Sequence, residues 1–314
     1  MKRSSLINLL LIAVLAILPL FSGEYYINLG SQIMIAAIFA ASLNLLVGYG
    51  GLTSLGHATY LGMSAYATAW IASHTTIDPL STALIAIAFT TVLGAGFGWI
   101  ALRASGLSFL MLTLALSQIM WGLGYRWVNM TNGDNGMNLP GRPSPFGINL
   151  EDSTSYYWFV LIFTVICLAF IARFVHSPFG ASLRGTRDQP KRMSALGYDV
   201  WMIRWITFII ASFFAAIAGL LYIYFHKYIH PTVMSITVSA EALLCVIAGG
   251  SGTLAGPIIG SILIFLLKSY VSAFVERWNM LLGFIFVFIV MVMPAGIGPG
   301  ISHLYHRIFK GKSS

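Results

Sequence analysis

Charge is scarce in this chain of 314 residues: 8% of positions are Asp, Glu, Lys or Arg, against 58% hydrophobic residues and a mean hydropathy of +0.85. A soluble domain is charged at about a quarter of its positions, so a soluble globular protein is excluded. Cysteine is nearly absent. Cys167 and Cys245 sit far apart inside apolar runs, without metal-ligand spacing, and read as small buried hydrophobes, not as a disulfide or redox pair. No long polar stretch, low-complexity tract or Pro/Ser-rich linker divides the chain, so a single domain over 1–314 is expected. The apolar runs also lack the period-two alternation of a membrane barrel, and backbone in lipid must satisfy its hydrogen bonds internally. The fold class that remains is all-α: a polytopic helical protein of the lipid bilayer.

Apolar runs near twenty residues recur from end to end, each able to cross ~30 Å of hydrocarbon as a helix. They lie near 5–22, 27–48, 53–73, 80–101, 107–128, 155–175, 204–225 and 278–296, with a longer stretch at 237–270. That stretch is interrupted by GGSGTLAGP, whose glycines and Pro257 oppose a continuous helix, so it counts as two spans. About ten transmembrane helices result. The run 53–73, rich in Gly, Ser, Thr and Tyr and containing His57, is the weakest and reads either as a span or as a broken, re-entrant segment covered by protein or water. The start, MKRSSLINLLLIAVLAILPL, has the basic flank and apolar core of a signal peptide. Because the next apolar run follows at once and no small-x-small site stands out, it is read as a first span.

The positive-inside rule orients these spans. With both termini cytoplasmic, the inner side holds twelve Lys and Arg (2, 3, 103, 173, 184, 187, 191, 192, 204, 307, 310 and 312) and the outer side five (126, 142, 227, 268 and 277). Asp188 and Asp199 fall inside and the other seven acids outside, giving +10 within and −2 without, consistent with the overall +8. The positive balance is therefore a membrane-topology signal, and no nucleic-acid partner is implied.

Several motifs fail on inspection. The terminal GKSS has the ending of a phosphate-binding loop, but His306 stands where its first glycine belongs. GGSGTLAG lacks the βαβ context of a dinucleotide fingerprint. His226 and His230 are four apart with Glu241 nearby, yet Pro231 follows at once and two ligands do not make a metal site; interfacial histidines are the plainer reading. No Ser/His/Asp or paired-carboxylate spacing points to catalysis. The chain is expected to be no enzyme and to bind no cofactor of its own.

The small residues of GAGFG (94–98) and GPIIGS (256–261) suit close helix packing. Asn44, His57, Gln118 and Glu241 are polar groups within or at the edge of apolar spans, read either as pathway groups or as polar packing between helices. One block stands apart. SPFGASLRGTRDQPKRMSALGYDV, within a cytoplasmic loop over 177–203, holds Arg184, Arg187, Lys191 and Arg192, four of the twelve inner basic residues. A helix over 178–188 places Leu183 and Arg187 on one face, with Arg184 and Asp188 beside them. A second short helix follows, with Pro190 in its first turn, Asp188 or Gln189 as cap and Gly197 as its left-handed stop. Such a hairpin, with exposed Met193 and Leu196, suits docking into a partner's groove.

SLNLLVGYGGLTSLGHATYLGMSAYATA, SFLMLTLALSQIMW, TNGDNGM, the basic block and IAGGSGTLAGPIIGS, in that order, resemble the membrane permeases of branched-chain amino acid ABC importers, specifically the larger of the two permease partners, over residues 25 to 296. The resemblance implies a heterodimer with a second homologous permease, two cytoplasmic ABC ATPases that hold ATP-Mg, and a periplasmic solute-binding protein, all at the bacterial inner membrane. It makes Arg184, Arg187, Asp188, Met193 and Leu196 contacts of the ATPase, with Gly197 a geometric requirement. It makes the long periplasmic loop 129–154, with Asp134, Glu151 and Asp152, the face for the binding protein. Sister importers of the same family take urea and short amides, so the resemblance leaves the substrate open. The rivals from other classes are a secondary carrier, disfavoured by the near absence of deep Asp and Glu, and a passive channel.

Overall fold

A computed structural model describes residues 23–143 and 150–271, with positions 280, 283, 284, 287 and 291 in helical conformation. The expected spans 5–22 and 278–296, apart from those five positions, lie outside the described residues, as does the basic C-terminal tail. Eleven α-helices occur among the described residues. α1 (Glu24–Asn44) runs into a π-helical turn at Leu45–Tyr49, and α2 covers Ala58–His74. α3 (Pro79–Ala101), α4 (Leu107–Arg126) and the short α5 (Val128–Thr131) follow. α6 is Ser153–His176, α7 Pro178–Asp188, α8 Pro190–Ala195 and α9 Val200–His226. α10 (Ile236–Gly249) and α11 (Gly256–Val271) complete the series. β1 (Met137–Asn138) pairs antiparallel with β2 (Tyr228–Ile229), Met137 opposite Ile229.

Five of these helices, α1 with its π-helical turn, α3, α4, α6 and α9, are long and apolar enough to cross a membrane. Burial separates them. In its most apolar window α1 is 83% buried and α9 72%, whereas α3 and α4 are 22% and α6 33% buried. α1 and α9 are thus the axis of the bundle, and α3, α4 and α6 turn Leu84, Phe89, Val92, Met111, Ile119, Ile162 and Phe170 outward. Water would make that belt costly, whereas hydrocarbon is its natural solvent.

α10 and α11 are shorter, 14 and 16 residues or roughly 21 and 24 Å. They pack as an antiparallel pair with backbones in close contact. A Cβ on Gly260 would lie 1.8 Å from the carbonyl oxygen of Cys245, so a side chain there has no room. The stretch 237–270, expected to be two spans, forms these two shorter helices, separated where the glycines interrupt the ladder.

The weak span is a broken one. α2 begins at Ala58, and 51–57 is irregular backbone. Such backbone is tolerated at membrane depth where protein covers it. Here Leu52, Ser54, Gly56 and His57 are buried, and the Leu52 N–H returns to the Leu46 carbonyl at 2.8 Å.

Candidate functional site

The basic residues gather at one end of the bundle, where α3 and α6 finish and α9 starts. Local chemistry dictates the α7–α8 hairpin there. The Ser177 Oγ accepts from the Gly180 N–H at 3.3 Å, with Pro178 in the first turn of α7. Gln189 occupies the cap position of α8 without a side-chain cap bond, and Pro190 opens the helix. Gly197 ends it at φ +88°, with the Tyr198 N–H on the Met193 carbonyl (3.1 Å) and its own N–H on Ser194 (3.0 Å). This is a Schellman stop, a conformation that costs glycine nothing.

The hairpin is keyed into the core. Leu183 is fully buried on α7, the Arg184 Nη1 donates to the Val175 carbonyl at 2.8 Å, and the Arg204 Nη2 reaches the Thr186 carbonyl at 3.1 Å. Arg187 donates from Nε to Asp188 (2.8 Å) and from Nη1 to the carbonyl of Gly48 in the π-helical turn (2.6 Å). So Arg184 and Arg187 point back toward the bundle. Met193 is half-buried, its sulfur seated over Gly185, and not exposed as the sequence suggested. The outward surface consists of Leu196, 67% exposed, with Tyr198, Asp188, Lys191 and Arg192.

Asn44 is one turn from Gly48. Its Nδ2 donates to the Thr253 carbonyl (2.8 Å) and its Oδ1 accepts from the Gly252 N–H (2.9 Å), clamping the α10–α11 turn to the end of α1. A Cβ at Gly48 would sit 2.2 Å from the Gly252 nitrogen, so the clamp closes only over glycine. Asn44, Gly48, Gly252 and Arg187 thus form one junction of three chain segments.

The other polar candidates divide. His57 is fully buried, stacked on Phe39 at 5.3 Å with Tyr60 edge-on at 5.6 Å. The Ser42 hydroxyl donates to the Phe39 carbonyl, so the His57 Nε2–H donates to the Ser42 oxygen (2.7 Å), leaving Nδ1 without a partner among the described residues. Gln118 is half-buried on α4. Glu241 lines a cavity. It receives the Lys268 ammonium at 3.0 and 3.3 Å across a space of about 330 Å³ bounded by α1, α2, α9, α10 and α11. Sequence reasoning counted Lys268 merely as an outer-side cation. The two lie on the helices flanking the glycine turn, and the hairpin brings those helices side by side.

At the opposite end the acids of 129–154 are mostly engaged; 144–149 lie outside the described residues. Asp152 caps α6 through the Ser155 N–H (3.0 Å). Glu151 pairs with Lys227 and accepts the Arg142 N–H at 2.9 Å, which holds its carboxyl below the usual carboxylate range, the Lys227 bond contributing most. Arg142, counted in the sequence only as an outer-side cation, donates to the last carbonyls of α9, Tyr224 (2.9 Å) and Phe225 (3.2 Å), and lies 4.5 Å over the Tyr156 ring. Asp134 stays exposed beside His230 at 3.3 Å.

An apolar belt, a buried two-helix axis and polar groups drawn to the two ends define a multi-pass helical membrane protein. The sequence profile of the family described as "Branched-chain amino acid transport system / permease component" matches residues 25–291, and the chain belongs to that family. It is 24% identical to the high-affinity branched-chain amino acid transport system permease protein LivM of Salmonella typhimurium, over 95% of this chain and 75% of LivM. It is 23% identical to the LivH permease protein of Escherichia coli K12, over 88% of this chain and 94% of LivH. The probable LivM of Methanocaldococcus jannaschii is 25% identical over 92% of this chain and 94% of its own. No solved structure is a significant match.

Proposed function

We propose that this chain is the larger membrane-spanning permease of an ATP-driven ABC importer for branched-chain amino acids in the bacterial inner membrane. A second homologous permease completes the translocation unit, two cytoplasmic ABC ATPases bind and hydrolyse ATP-Mg, and a periplasmic solute-binding protein delivers the substrate. Similarity to both LivM and LivH, two permease proteins named for a branched-chain amino acid system, supports this reading.

The observation that carries it is the keyed hairpin. Leu196, Lys191 and Arg192 offer an ATPase an apolar point ringed by charge, and Arg187 ties that hairpin to Gly48, one turn from the Asn44 clamp on the α10–α11 turn. When ATP closes the ATPase pair, its push on α8 passes through Arg187 to α1 and to the hairpin bearing Glu241 and Lys268. The helices then rock between inward- and outward-open states. ATP and substrate bias that equilibrium by their differential affinity for the two states.

Mild detergent extraction from native membranes, with this chain as bait, tests the proposal. A second permease and P-loop ATPases should co-purify, and solute entry into vesicles should require ATP. A chain that purifies alone in several gentle detergents, and moves solute without ATP, is a carrier or channel.

A further inference from the structure

We propose that the apolar groove between α2, α3 and α4 holds one acyl chain of a resident phospholipid, whose phosphate pairs with Arg126 at the groove's mouth. The proposal needs only the membrane position of these helices and stands apart from the transport reading.

The groove has a volume of about 420 Å³ and no charged side chain in its wall. It follows α3 from Ile85 to Leu93 and α4 from Met120 to Trp127, a length of roughly 10 to 12 Å. That is less than half of the ~30 Å hydrocarbon core. It lies toward the end remote from the basic hairpin, where α3 starts and α4 finishes. An acyl chain of that leaflet ends near the midplane, as the groove does. A partner's membrane helix would run on along the remaining length of α3 and α4.

Hydrocarbon solvates an apolar wall as well as protein does, so apolarity alone holds no particular lipid. Two further features do. The wall carries five methionines, Met63, Met120, Met130, Met137 and Met234, and Met234 is a buried floor wedged against Gly62 and Gly124. Unbranched thioethers follow the shape of a flexible guest, and an empty groove forfeits dispersion contacts along its wall. The second feature is charge. Arg126 is exposed in the last turn of α4, beside Trp127 in sequence, and has no ion-pair or hydrogen-bond partner among the described residues. Trp70 and Trp127 mark this end of the groove as the level of the membrane interface. A phospholipid carries its phosphate at that level, and a guanidinium binds phosphate in a bidentate manner. Glycerol joins the two held groups, so each raises the effective concentration of the other.

Lipid retention through purification tests the proposal. The chain, with the partners it keeps, is extracted in mild detergent and washed with lipid-free detergent, and its remaining phospholipid is counted by native mass spectrometry. The parent should retain one phospholipid more than Leu123→Trp, whose indole fills the groove from an exposed position. Val92→Trp adds an indole at an exposed position outside the groove and should retain the parent number. In Arg126→Gln, occupancy at limiting phospholipid should fall about tenfold, the size expected of one charged hydrogen bond. Equal retention by the parent and Leu123→Trp overturns the proposal, as does unchanged occupancy in Arg126→Gln. Loss of a co-purifying protein from Leu123→Trp, with its lipid count intact, also overturns it and makes the groove a protein interface. Should Leu123→Trp not accumulate, Ala67→Trp fills the same space from α2 and is read in the same way.

Discussion

The Nη1 of Arg187 lies 2.6 Å from the carbonyl oxygen of Gly48, joining a helix of the basic hairpin to the end of the most buried helix of the bundle. The residues are 139 apart in sequence, and the bond makes the hairpin a handle on α1.

Arg187→Ala removes a hydrogen bond to a charged group, worth roughly 1.5–3 kcal/mol in general and nearer the lower figure at this half-exposed position. Since ~1.4 kcal/mol is a factor of ten, leucine uptake per ATP hydrolysed should fall about tenfold while the assembled complex keeps hydrolysing ATP. Paired uptake and phosphate-release assays read this ratio. An unchanged ratio would mean that force reaches α1 by another route.

Leu196→Glu addresses docking alone. The side chain is 67% exposed, so thermal stability should stay within about 0.5 kcal/mol of the parent. Co-purification of the ATPase should drop sharply. Retention of the ATPase by the charged variant would exclude Leu196 from the contact.

Gly260→Val should separate α10 from α11, because its Cβ would meet the Cys245 carbonyl at 1.8 Å. The loss should be at least the ~1–3 kcal/mol of ordinary overpacking, seen as a lower melting temperature in detergent. Gly122→Ala is the control. Among the described residues no atom lies within 4 Å of its added Cβ, and the change should be neutral or stabilise α4 by up to about 1 kcal/mol.

Glu151 makes the loop end sensitive to acid. Its carboxyl is more acidic in the folded protein than its ordinary value of 4.5, owing first to the Lys227 bond and then to the Arg142 N–H. Its contribution is complete above 4.5 and disappears as pH falls through the lowered folded value. Limited proteolysis of this region should accelerate in strong acid and not between pH 6 and 8. In Glu151→Gln the acid-dependent part of the change should shrink; full retention would assign it to another carboxylate.

Much of this was legible along the chain. The α7 helix from Pro178 to Asp188, the left-handed stop at Gly197 and the break at GGSGTLAGP depend on proline, glycine and capping residues acting within one turn, so local sequence suffices. The broken segment before Ala58 announced itself through its glycines and hydroxyls. The inward aim of Arg184 and Arg187 was hidden, because a basic residue on a loop looks the same whether it faces a partner or a buried carbonyl. Met193 misled for a similar reason: its shelf, Gly185, lies on the other helix of the hairpin and shows in space, not in spacing.

The sequence by itself determined the solvent and the architecture. A chain so poor in charge, with apolar runs of membrane length, has no stable home in water and must satisfy its backbone as helices. Tertiary structure decided which polar groups meet. Asn44 reaches Gly252, Arg187 reaches Gly48 and Lys268 reaches Glu241 because helices cross and pair at particular depths. Those depths follow from close contacts such as Gly260 on Cys245, where removing one side chain lets two backbones touch. Hydropathy carries no record of such contacts, since it registers how apolar a segment is and not which neighbour it faces.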